Sequence, residues 1–311
     1  MLKIVDDERA LATTAAERIT TLIGQAIRER HSSIVSLTGG ATPRLLYRYL
    51  GDPMQPWRSR IDWARVHLLW GDERHVPPNH PDSNFGMAHE TLITHVPLPS
   101  SHVHRMRGEL IDAKEAAREY ESELDAAFEQ AGRSDRTFDV MLLGLGEDAH
   151  IASIFPGSPL LSGSSFQVPS SRFQVPGVQG SEFRVPESSQ FLVQASDGDP
   201  TTENATNQPG TGNPGKLEPG TRDREHGSVA AVWAPHLNAW RITLTPTTLL
   251  NSRGIVMIVA GAAKAEAMWW ALEGPEQIDR HPVQLLRAAG DRVEWIIDRS
   301  AAGRLPAAPH G

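Results

Sequence analysis

Cysteine is absent from the 311 residues of the chain. Its absence excludes disulfides, a thiolate nucleophile and every metal site that depends on sulfur ligands. It also means that cysteine usage gives no information about the cellular compartment. Any catalytic chemistry must therefore come from histidine, carboxylates, hydroxyl groups and cationic side chains.

The chain also lacks an excess of positive charge and any long apolar segment. Its 30 lysines and arginines are outnumbered by 38 aspartates and glutamates, which gives a formal net charge of -8. This balance argues against nucleic acid as a partner, and an anionic ligand needs cationic groups placed locally around it. No run reaches membrane-spanning length, and residues 1–9 carry an acidic cluster where a signal peptide would have its apolar core. We expect a cytoplasmic protein without a membrane partner.

What the sequence does contain is a series of short apolar runs that end at glycine or at polar residues. Runs that are apolar at nearly every position are typical of parallel strands covered on both faces. We expect strands at Ser33–Thr38, Val66–Trp70, Val140–Leu143, Arg241–Thr245, Gly254–Ala260 and Val293–Ile297. Apolar stripes at helical spacing predict helices over Leu11–Ile27 and Asp112–Ala131. The pattern predicts an α/β fold with a mostly parallel sheet and helices on both faces.

The first of these strands leads into a glycine turn that is a candidate phosphate site. The segment Thr38-Gly39-Gly40-Ala41-Thr42-Pro43 connects the strand to a helix over Leu45–Leu50. We expect Thr42 to be the N-cap and Pro43 the first helical residue. Free backbone N–H groups and the positive end of the helix dipole would then face the turn and can hold a phosphate. The alternative is a turn that contains glycine for steric reasons only.

Charged residues follow two further strands. Gly71-Asp72-Glu73-Arg74 comes after the second strand. We expect that three charged residues in a row are not part of the core and that they lie at the edge where α/β sheets bind ligands. Lys264 lies in the first turn of a helix after Gly254–Ala260, where it opposes the helix dipole unless an anion is bound nearby. The alternative for residues 71–74 is a solvated surface loop. The alternative for Lys264 is a solvated side chain that binds no ligand.

The longest motif delivers one histidine. It reads Gly144-Leu-Gly-Glu-Asp-Ala-His-Ile-Ala-Ser-Ile-Phe-Pro-Gly157 and follows the strand Val140–Leu143. We expect Asp148 to cap a short helix that begins at Ala149, with His150 in its first turn at the carboxyl end of the strand. A histidine there is poised to titrate near neutral pH and can act as a general base or acid. A capping or packing histidine is the alternative.

Two other histidines, His102 and His104, have a spacing that suggests a metal pair. No carboxylate at ligand spacing and no further histidine stand near them in the sequence. We therefore expect no metal.

The composition changes abruptly over residues 162–228. Three imperfect copies of one tetrapeptide occur there, at Phe166-Gln-Val-Pro169, Phe173-Gln-Val-Pro176 and Phe183-Arg-Val-Pro186. The part from Asp197 to Gly227 has hardly an apolar side chain, so its burial cannot offset the entropy lost on ordering it. We predict a single α/β domain over residues 1–311 that carries a long, partly disordered low-complexity insertion at 162–228.

Taken in order, the turn motifs resemble those of the 6-phosphogluconolactonase family. The motifs are Thr38-Gly-Gly-Ala-Thr-Pro43, Gly71-Asp-Glu-Arg74, the segment from Gly144 to Gly157, Arg241-Ile-Thr-Leu-Thr245 and Gly261-Ala-Ala-Lys264. The resemblance covers nearly the whole chain outside the insertion. It implies a Rossmann-like fold of the sugar-phosphate isomerase type, shared with glucosamine-6-phosphate deaminase. It also implies hydrolysis of 6-phospho-D-glucono-1,5-lactone to 6-phosphogluconate, in the pentose phosphate pathway, without a cofactor or a metal.

The resemblance further implies roles for individual residues. His150 would take a proton from the water that attacks the lactone carbonyl, with Asp148 or Glu147 orienting its ring. Asp72 would bind sugar hydroxyls or hold Arg74 in place. The groups implied to bind the phosphate are Gly39, Gly40, Thr42, Arg74, Arg241 and Lys264.

The chain departs from the family pattern, Asp-Gly-His-Thr-Ala-Ser, at Ala149 and Ile151, and it has His236 after Pro235 where the family commonly has a lysine. We expect ordinary backbone angles at Ala149, where glycine would tolerate a positive φ, and Ile151 lacks a hydroxyl. Two alternatives therefore stay open. One is a deaminase or isomerase of an amino-sugar phosphate, which needs a further carboxylate base. The other is a sugar-phosphate-binding regulator with weakened catalysis. A monomer and a small homo-oligomer are both compatible with the sequence.

Overall fold

In the computed structural model, which describes residues 1–161 and 227–306, the strands form two sheets. The nine strands of this part of the chain are β1 (Leu2–Val5), β2 (Ser33–Leu37), β3 (Val66–Trp70), β4 (Asp72–Arg74), β5 (Phe138–Leu143), β6 (Val229–Ala234), β7 (Ala239–Leu244), β8 (Ser252–Val259) and β9 (Val293–Asp298). Six of them make the central sheet, in the order β1-β9-β8-β5-β2-β3. All neighbouring strands of this sheet are parallel.

Three strands of the central sheet, including its edge strand β3, are buried along their whole length. Every residue of β2, β3 and β5 is buried, as expected for parallel strands covered on both faces. The predicted α/β fold with a mostly parallel sheet is therefore confirmed. The sequence missed β1, because Leu2 and Ile4 are 42% and 46% exposed and the strand has only four residues.

Helices connect the parallel strands. They are α1 (Glu8–Arg30), α2 (Ala41–Gly51), α3 (Pro56–Arg60), α4 (Asn84–Thr91), α5 (Ala113–Gln130), α6 (Pro246–Leu250) and α7 (Ala265–Leu272). A run of 3₁₀ turns over Pro282–Arg292, interrupted by the non-helical angles of Gly290, precedes β9. No helix within the described ranges is long and apolar enough to cross a membrane.

The second sheet has three antiparallel strands in the order β4-β7-β6. Its first strand, β4, begins two residues after β3 ends, and the turn between them is tied to both sheets. The N–H of Gly71 donates to the carbonyl of Leu37 at 2.9 Å, and the N–H of Leu244 donates to the carbonyl of Gly71 at 2.9 Å. The expectation that the charged run after β3 stays outside the protein interior was wrong, since Asp72 and Glu73 are only 7% and 2% exposed.

Most of the predicted insertion, including the three tetrapeptide repeats and the segment Asp197–Thr221, lies outside the described residues. Its last two residues, Gly227 and Ser228, are described and lead into β6. The N–H of Ser228 donates to Glu121 at 2.8 Å, and its carbonyl accepts from the N–H of Thr245 at 3.0 Å. The chain is therefore fixed to α5 and to the end of β7 where it enters the second sheet.

Candidate active site

The candidate site lies at the carboxyl ends of β2, β3, β5 and β8, which are parallel and therefore end at the same edge of the sheet. The turns that follow these strands contact one another through glycines. A Cβ atom at Gly144 would lie 4.0 Å from the carbonyl oxygen of Gly39, and one at Gly71 would lie 3.6 Å from that of Leu37. These are ordinary van der Waals distances, so these turns of distant sequence segments lie close together.

The turn after β5 presents His150 next to Asp148. Oδ1 of Asp148 is 2.5 Å from Nδ1 of His150 and also accepts from the backbone N–H of His150 at 3.2 Å. The imidazole is 31% exposed and Asp148 is 40% exposed. Burial by itself raises the pKa of Asp148, but hydrogen bonds from His150 and attraction to its ring outweigh burial and lower that pKa. Nε2 of His150 has no hydrogen-bond partner among the residues that the structure describes.

Gly146 makes this pair sterically feasible. A Cβ atom there would lie 2.0 Å from Nδ1 of His150 and 2.5 Å from Oδ1 of Asp148, far inside any real contact distance. The N–H of Gly146 also donates to the carbonyl of His150 at 2.9 Å, which closes the turn. The glycine is therefore required where the chain folds back on its own histidine.

The turn is not a helix, and this corrects two expectations. Ala149 has φ 67° and Ala152 has φ 48°, so both take left-handed angles instead of the ordinary ones expected. The carbonyl of Ala149 accepts from the N–H of Val283 at 2.9 Å, which holds the strained residue in place. Ile151 is 1% exposed and packs in the apolar core, so its side chain anchors the turn to the core.

Glu147, the other candidate for orienting His150, turns away from it. Its Oε1 lies 3.8 Å from Nζ of Lys264, in the turn after β8. Lys264 ends a 3₁₀ turn and is the N-cap of α7, so it lies at the helix terminus close to where it was expected. That turn begins at Gly261, which has φ 98° and donates its N–H to the carboxylate of Asp298 at 3.0 Å.

Asp72 joins three segments and does not contact Arg74 through its carboxylate. Its Oδ2 accepts from the hydroxyl of Ser153 at 2.7 Å, and its Oδ1 accepts from Nδ2 of Asn84 at 3.3 Å. Asn84 in turn fills the space above Gly39, where a Cβ atom would lie 1.8 Å from its Oδ1. Asp72 thus ties the turn that carries His150 to the start of α4.

Glu73 is a buried carboxylate that the sequence did not single out. Three backbone N–H groups donate to it, those of Arg74 (2.8 Å), Asn84 (2.7 Å) and Phe85 (2.8 Å), together with the hydroxyl of Ser83 (3.1 Å). Burial raises its pKa, although the hydrogen bonds act in the opposite direction. It holds β4 against the amino end of α4, where a negative charge is favourable. The sequence signal that could have revealed this contact is the pair Ser83-Asn84, a possible helix cap that lies ten residues after Glu73.

Two arginines face each other across the second sheet. Arg74 on β4 is directly opposite Arg241 on β7 in the antiparallel ladder. Their guanidinium groups donate to main-chain carbonyls of Asp82 (2.7 Å) and Trp240 (3.0 Å), and neither forms an ion pair with a carboxylate of the described residues. Burial, followed by repulsion from Arg74, lowers the pKa of Arg241. Like charges directly opposite are unfavourable in a sheet, and an anion bound between them would relieve the repulsion.

The helix that follows the glycine turn after β2 begins two residues earlier than predicted. α2 begins at Ala41 with Gly40 (φ 114°) as its N-cap, so Thr42 and Pro43 are its second and third residues. The hydroxyl of Tyr47 donates to the carbonyl of Thr38 at 2.8 Å and accepts from its N–H at 3.0 Å, which fixes the turn from within. The amino end of α2 still faces the carboxyl edge of the sheet.

The histidines at 102 and 104 lie near a third one on β3 that the sequence did not connect with them. Nδ1 of His67 is 3.2 Å from Nε2 of His104, and Nδ1 of His104 is 2.7 Å from the carboxylate of Glu123. The His67 and His102 rings stack with centroids 4.0 Å apart. No group of three or more histidine and acidic side chains within residues 1–161 and 227–306 could hold a metal ion.

Two aromatic residues beside His150 were also missed. The ring of Phe155 lies 4.7 Å from that of His150 and 4.8 Å from the ring of His236. His236 comes from the 3₁₀ turn Pro235–Leu237 that connects β6 to β7. Contact between positions 81 residues apart has no signal in a single sequence.

Comparison with known proteins agrees with this arrangement of motifs. A family model described as glucosamine-6-phosphate isomerases/6-phosphogluconolactonase matches residues 6–188 and 214–295. A 6-phosphogluconolactonase of Mycobacterium bovis is 31% identical over 312 residues, with 98% of each chain covered. A 6-phosphogluconolactonase of Synechocystis is 27% identical over 302 residues, with 97% of each chain covered.

Solved structures show the same fold. A 6-phosphogluconolactonase from Thermotoga maritima superposes with a TM-score of 0.63 at 21% identity, covering 96% of this chain and 99% of that one. A monomeric glucosamine-6-phosphate deaminase gives a TM-score of 0.63 at 20% identity, covering 97% and 99%. At these identities the likeness establishes the fold alone, whereas the family model covers most of the sequence itself. The chain therefore belongs to the glucosamine-6-phosphate isomerase/6-phosphogluconolactonase family.

Proposed function

We propose that this chain is a 6-phosphogluconolactonase, which hydrolyses 6-phospho-D-glucono-1,5-lactone to 6-phosphogluconate in the oxidative branch of the pentose phosphate pathway. The observation that carries the proposal is the His150–Asp148 pair, placed at the same edge of the sheet as Arg74, Arg241 and Lys264. Near full-length relatives named for this activity support it.

His150 acts as the general base. Asp148 accepts the Nδ1 proton at 2.5 Å, which leaves the Nε2 lone pair free to take a proton from water. The resulting hydroxide equivalent attacks the lactone carbonyl carbon. When the tetrahedral intermediate collapses, the bond from that carbon to the ring oxygen breaks, and the Nε2 proton passes to the departing oxygen. Asp148 stabilises the imidazolium that exists between the two proton transfers.

The cationic side chains bind the phosphate end of the substrate. Arg74 and Arg241 have no carboxylate partner in the described part of the chain, and Lys264 has only an exposed glutamate at 3.8 Å. The amino end of α2, with Gly39, Gly40 and Thr42, adds backbone N–H donors. Charge-assisted hydrogen bonds of this kind suit a phosphate dianion on a protein of net negative charge.

The carboxylates of the site favour a lactonase over a deaminase or isomerase. Those reactions need a further free carboxylate over the open-chain sugar, but Asp72 is held by Ser153 and Asn84. Glu73 is buried and saturated by backbone donors. The intact His150–Asp148 pair likewise favours an enzyme over a regulator, because a protein that only binds the sugar phosphate has no need of a paired base.

Location and assembly follow from the proposed substrate. A doubly charged sugar phosphate does not cross membranes unaided, so we place the reaction in the cytoplasm, where the pathway supplies it. Every residue assigned to the site comes from a single chain, and a monomer and a small homo-oligomer are both compatible with the proposal.

The proposal is tested with the unmodified protein and freshly generated 6-phosphogluconolactone. We expect the lactone to disappear faster than by spontaneous hydrolysis, with one equivalent of acid formed for each lactone consumed. Parallel incubation with glucosamine 6-phosphate should release no ammonia. A lactone half-life equal to that of the protein-free control would refute the proposed activity.

A further inference from the structure

The ring of His150 has few restraints for a general base. Asp148 fixes Nδ1 from the same turn, two residues away, and is itself 40% exposed. A single hydrogen bond to a half-exposed carboxylate restrains the imidazole at Nδ1 only. Catalysis requires Nε2 to stay aimed at the attacking water, since a misplacement of about 1 Å can cost a hundredfold in rate.

Phe155 is the other ring in contact with His150 in the part of the chain that the structure describes. The two centroids are 4.7 Å apart with an interplanar angle of 50°, within the range of favourable aromatic contacts. A phenyl ring has no polar atom that could compete for the proton on Nε2. It packs against the imidazole in this tilted arrangement.

Phe155 is itself held firmly. Its side chain is 8% exposed, and its carbonyl accepts from the N–H of Ser158 at 3.0 Å. Two residues before it, Ser153 is tied to Asp72 through its hydroxyl at 2.7 Å and to Thr243 through its N–H at 3.3 Å. The backbone on both sides of Phe155 is therefore anchored.

Phe155 also contacts a residue of the second sheet's β6–β7 connection. The edge of the exposed His236 ring meets Phe155 at 4.8 Å and 73°, a T-shaped contact. His236 lies in the connection between β6 and β7. The three rings form a series of contacts, His150–Phe155–His236, that links the turn carrying His150 to the antiparallel sheet.

We infer that Phe155 is a positioning residue, which holds the imidazole plane of His150 in the orientation needed for proton transfer, and that His236 supports Phe155 from the second sheet. The inference rests on the proposed function for its kinetic consequence. Its structural content, the restraint on the His150 ring, is independent of the substrate.

The test compares Phe155→Leu with Phe128→Leu in the full chain. Phe128 is as deeply buried, at 3% exposed, and makes a T-shaped contact with Phe138 in the core. We expect Phe155→Leu to lower kcat about tenfold, the value of one aromatic contact, with KM within a factor of two. Phe128→Leu should lower the melting temperature while kcat is retained. Equal kcat losses in both variants, or a Phe155→Leu effect confined to KM, would overturn the inference.

A second pair of variants covers the outcome that Phe155→Leu does not fold. His236→Ala should lower kcat about threefold, and His236→Phe, which restores an aromatic edge, should recover most of that loss. If His236→Phe instead raises KM and leaves kcat as low as in His236→Ala, the histidine binds substrate directly and the supporting role is wrong.

A measurement without substrate separates this inference from the proposed function. Diethyl pyrocarbonate acylates accessible imidazole nitrogens, and mass spectrometry of the peptide containing His150 gives the rate at that residue. We expect a several-fold faster reaction in Phe155→Leu and His236→Ala than in the unmodified protein. An unchanged rate would show that Phe155 does not restrain the ring, whether or not the protein hydrolyses the lactone.

Discussion

At the scale of single residues, the site depends on positions where a side chain is missing. Gly146 leaves room for both partners of the His150–Asp148 pair, and Gly39 leaves room for Asn84. The local Asp-x-His spacing could be read from the sequence, and the contact it implied is present. The helix expected around it is absent, because Ala149 and Ala152 take left-handed angles that ordinary helix propensities do not predict.

Replacing Gly146 with alanine should damage catalysis without unfolding the protein. The added Cβ would lie 2.0 Å from Nδ1 of His150, so the ring must move, and we expect kcat to fall at least about a hundredfold with a much smaller change in KM. Gly132→Ala is the matched control, since Gly132 has φ 70° with nothing within 4 Å of its added Cβ. It should cost about 1 kcal/mol of stability and leave kcat unchanged. Similar kcat values in the two variants would contradict the account.

Ala149→Gly should change stability little. Glycine relieves about 1 kcal/mol of left-handed strain, but it loses a buried methyl group worth about 0.8 kcal/mol and gains entropy in the unfolded chain. We expect a net change below about 1 kcal/mol in urea unfolding. Ala16→Gly, in the interior of α1 and fully buried, has no strain to relieve and should cost about 1–2 kcal/mol. Equal losses in both variants would show that Ala149 is not strained.

At the scale of elements, the second sheet contains a strand, β4, that the sequence pattern did not predict. β4 consists of Asp72, Glu73 and Arg74, a composition that predicts a loop. It is a strand because its backbone pairs with β7. Its two buried carboxylates accept hydrogen bonds from α4 and from Ser153, in the segment that follows His150. Those partners are distant in sequence, so local composition could not reveal them. The buried parallel strands were predictable because their apolar runs need no distant information.

The pairing of β4 with β7 predicts that one substitution keeps or raises the stability of the free protein and weakens substrate binding. Arg241→Gln removes one of two facing like charges, so the melting temperature of the free protein should stay constant or rise. The same change should raise KM at least about tenfold, because a charge-assisted bond to phosphate is lost. Arg253→Gln is the control, since Arg253 pairs with Asp135 and Asp139 at the start of β5. It should lower the melting temperature and leave KM unchanged. Loss of stability without a change in KM in Arg241→Gln would contradict the proposed phosphate contact.

At the scale of the whole molecule, stability should depend on pH through the cluster of His67, His102, His104 and Glu123. Burial, followed by repulsion from His102 and His104, lowers the pKa of His67 to about 4, against about 6.5 in an unfolded chain. Between these values the unfolded state binds more protons than the folded state, so stability falls as the pH drops from about 6.5 to about 4.

His67→Gln should weaken this dependence. The drop in melting temperature from pH 7 to pH 5 should be smaller than in the unmodified protein by at least ~2 °C, because the variant lacks the buried imidazole of His67. His89→Gln, an exposed position on α4, should keep the original dependence. Identical pH profiles for the unmodified protein and His67→Gln would show that His67 does not titrate in this range.

The order of the strands, β1-β9-β8-β5-β2-β3, brings together turns that are up to about two hundred residues apart in sequence. The motifs of those turns were recognisable one by one. Their convergence at one edge follows from the parallel arrangement, which the buried runs predicted, but the partners of each side chain follow from packing that no single segment encodes. The predicted single domain with an insertion at 162–228 stays a prediction.

The central claim is that His150 is the base of a lactone hydrolase, and one comparison tests it most directly. The initial rate of 6-phosphogluconolactone hydrolysis is measured for the unmodified protein and for His150→Ala at equal concentration, with protein-free hydrolysis as the baseline and circular dichroism to verify the fold. The account predicts a clear acceleration by the unmodified protein and a return to the baseline rate in folded His150→Ala. A folded variant that hydrolyses the lactone as fast as the unmodified protein would contradict it.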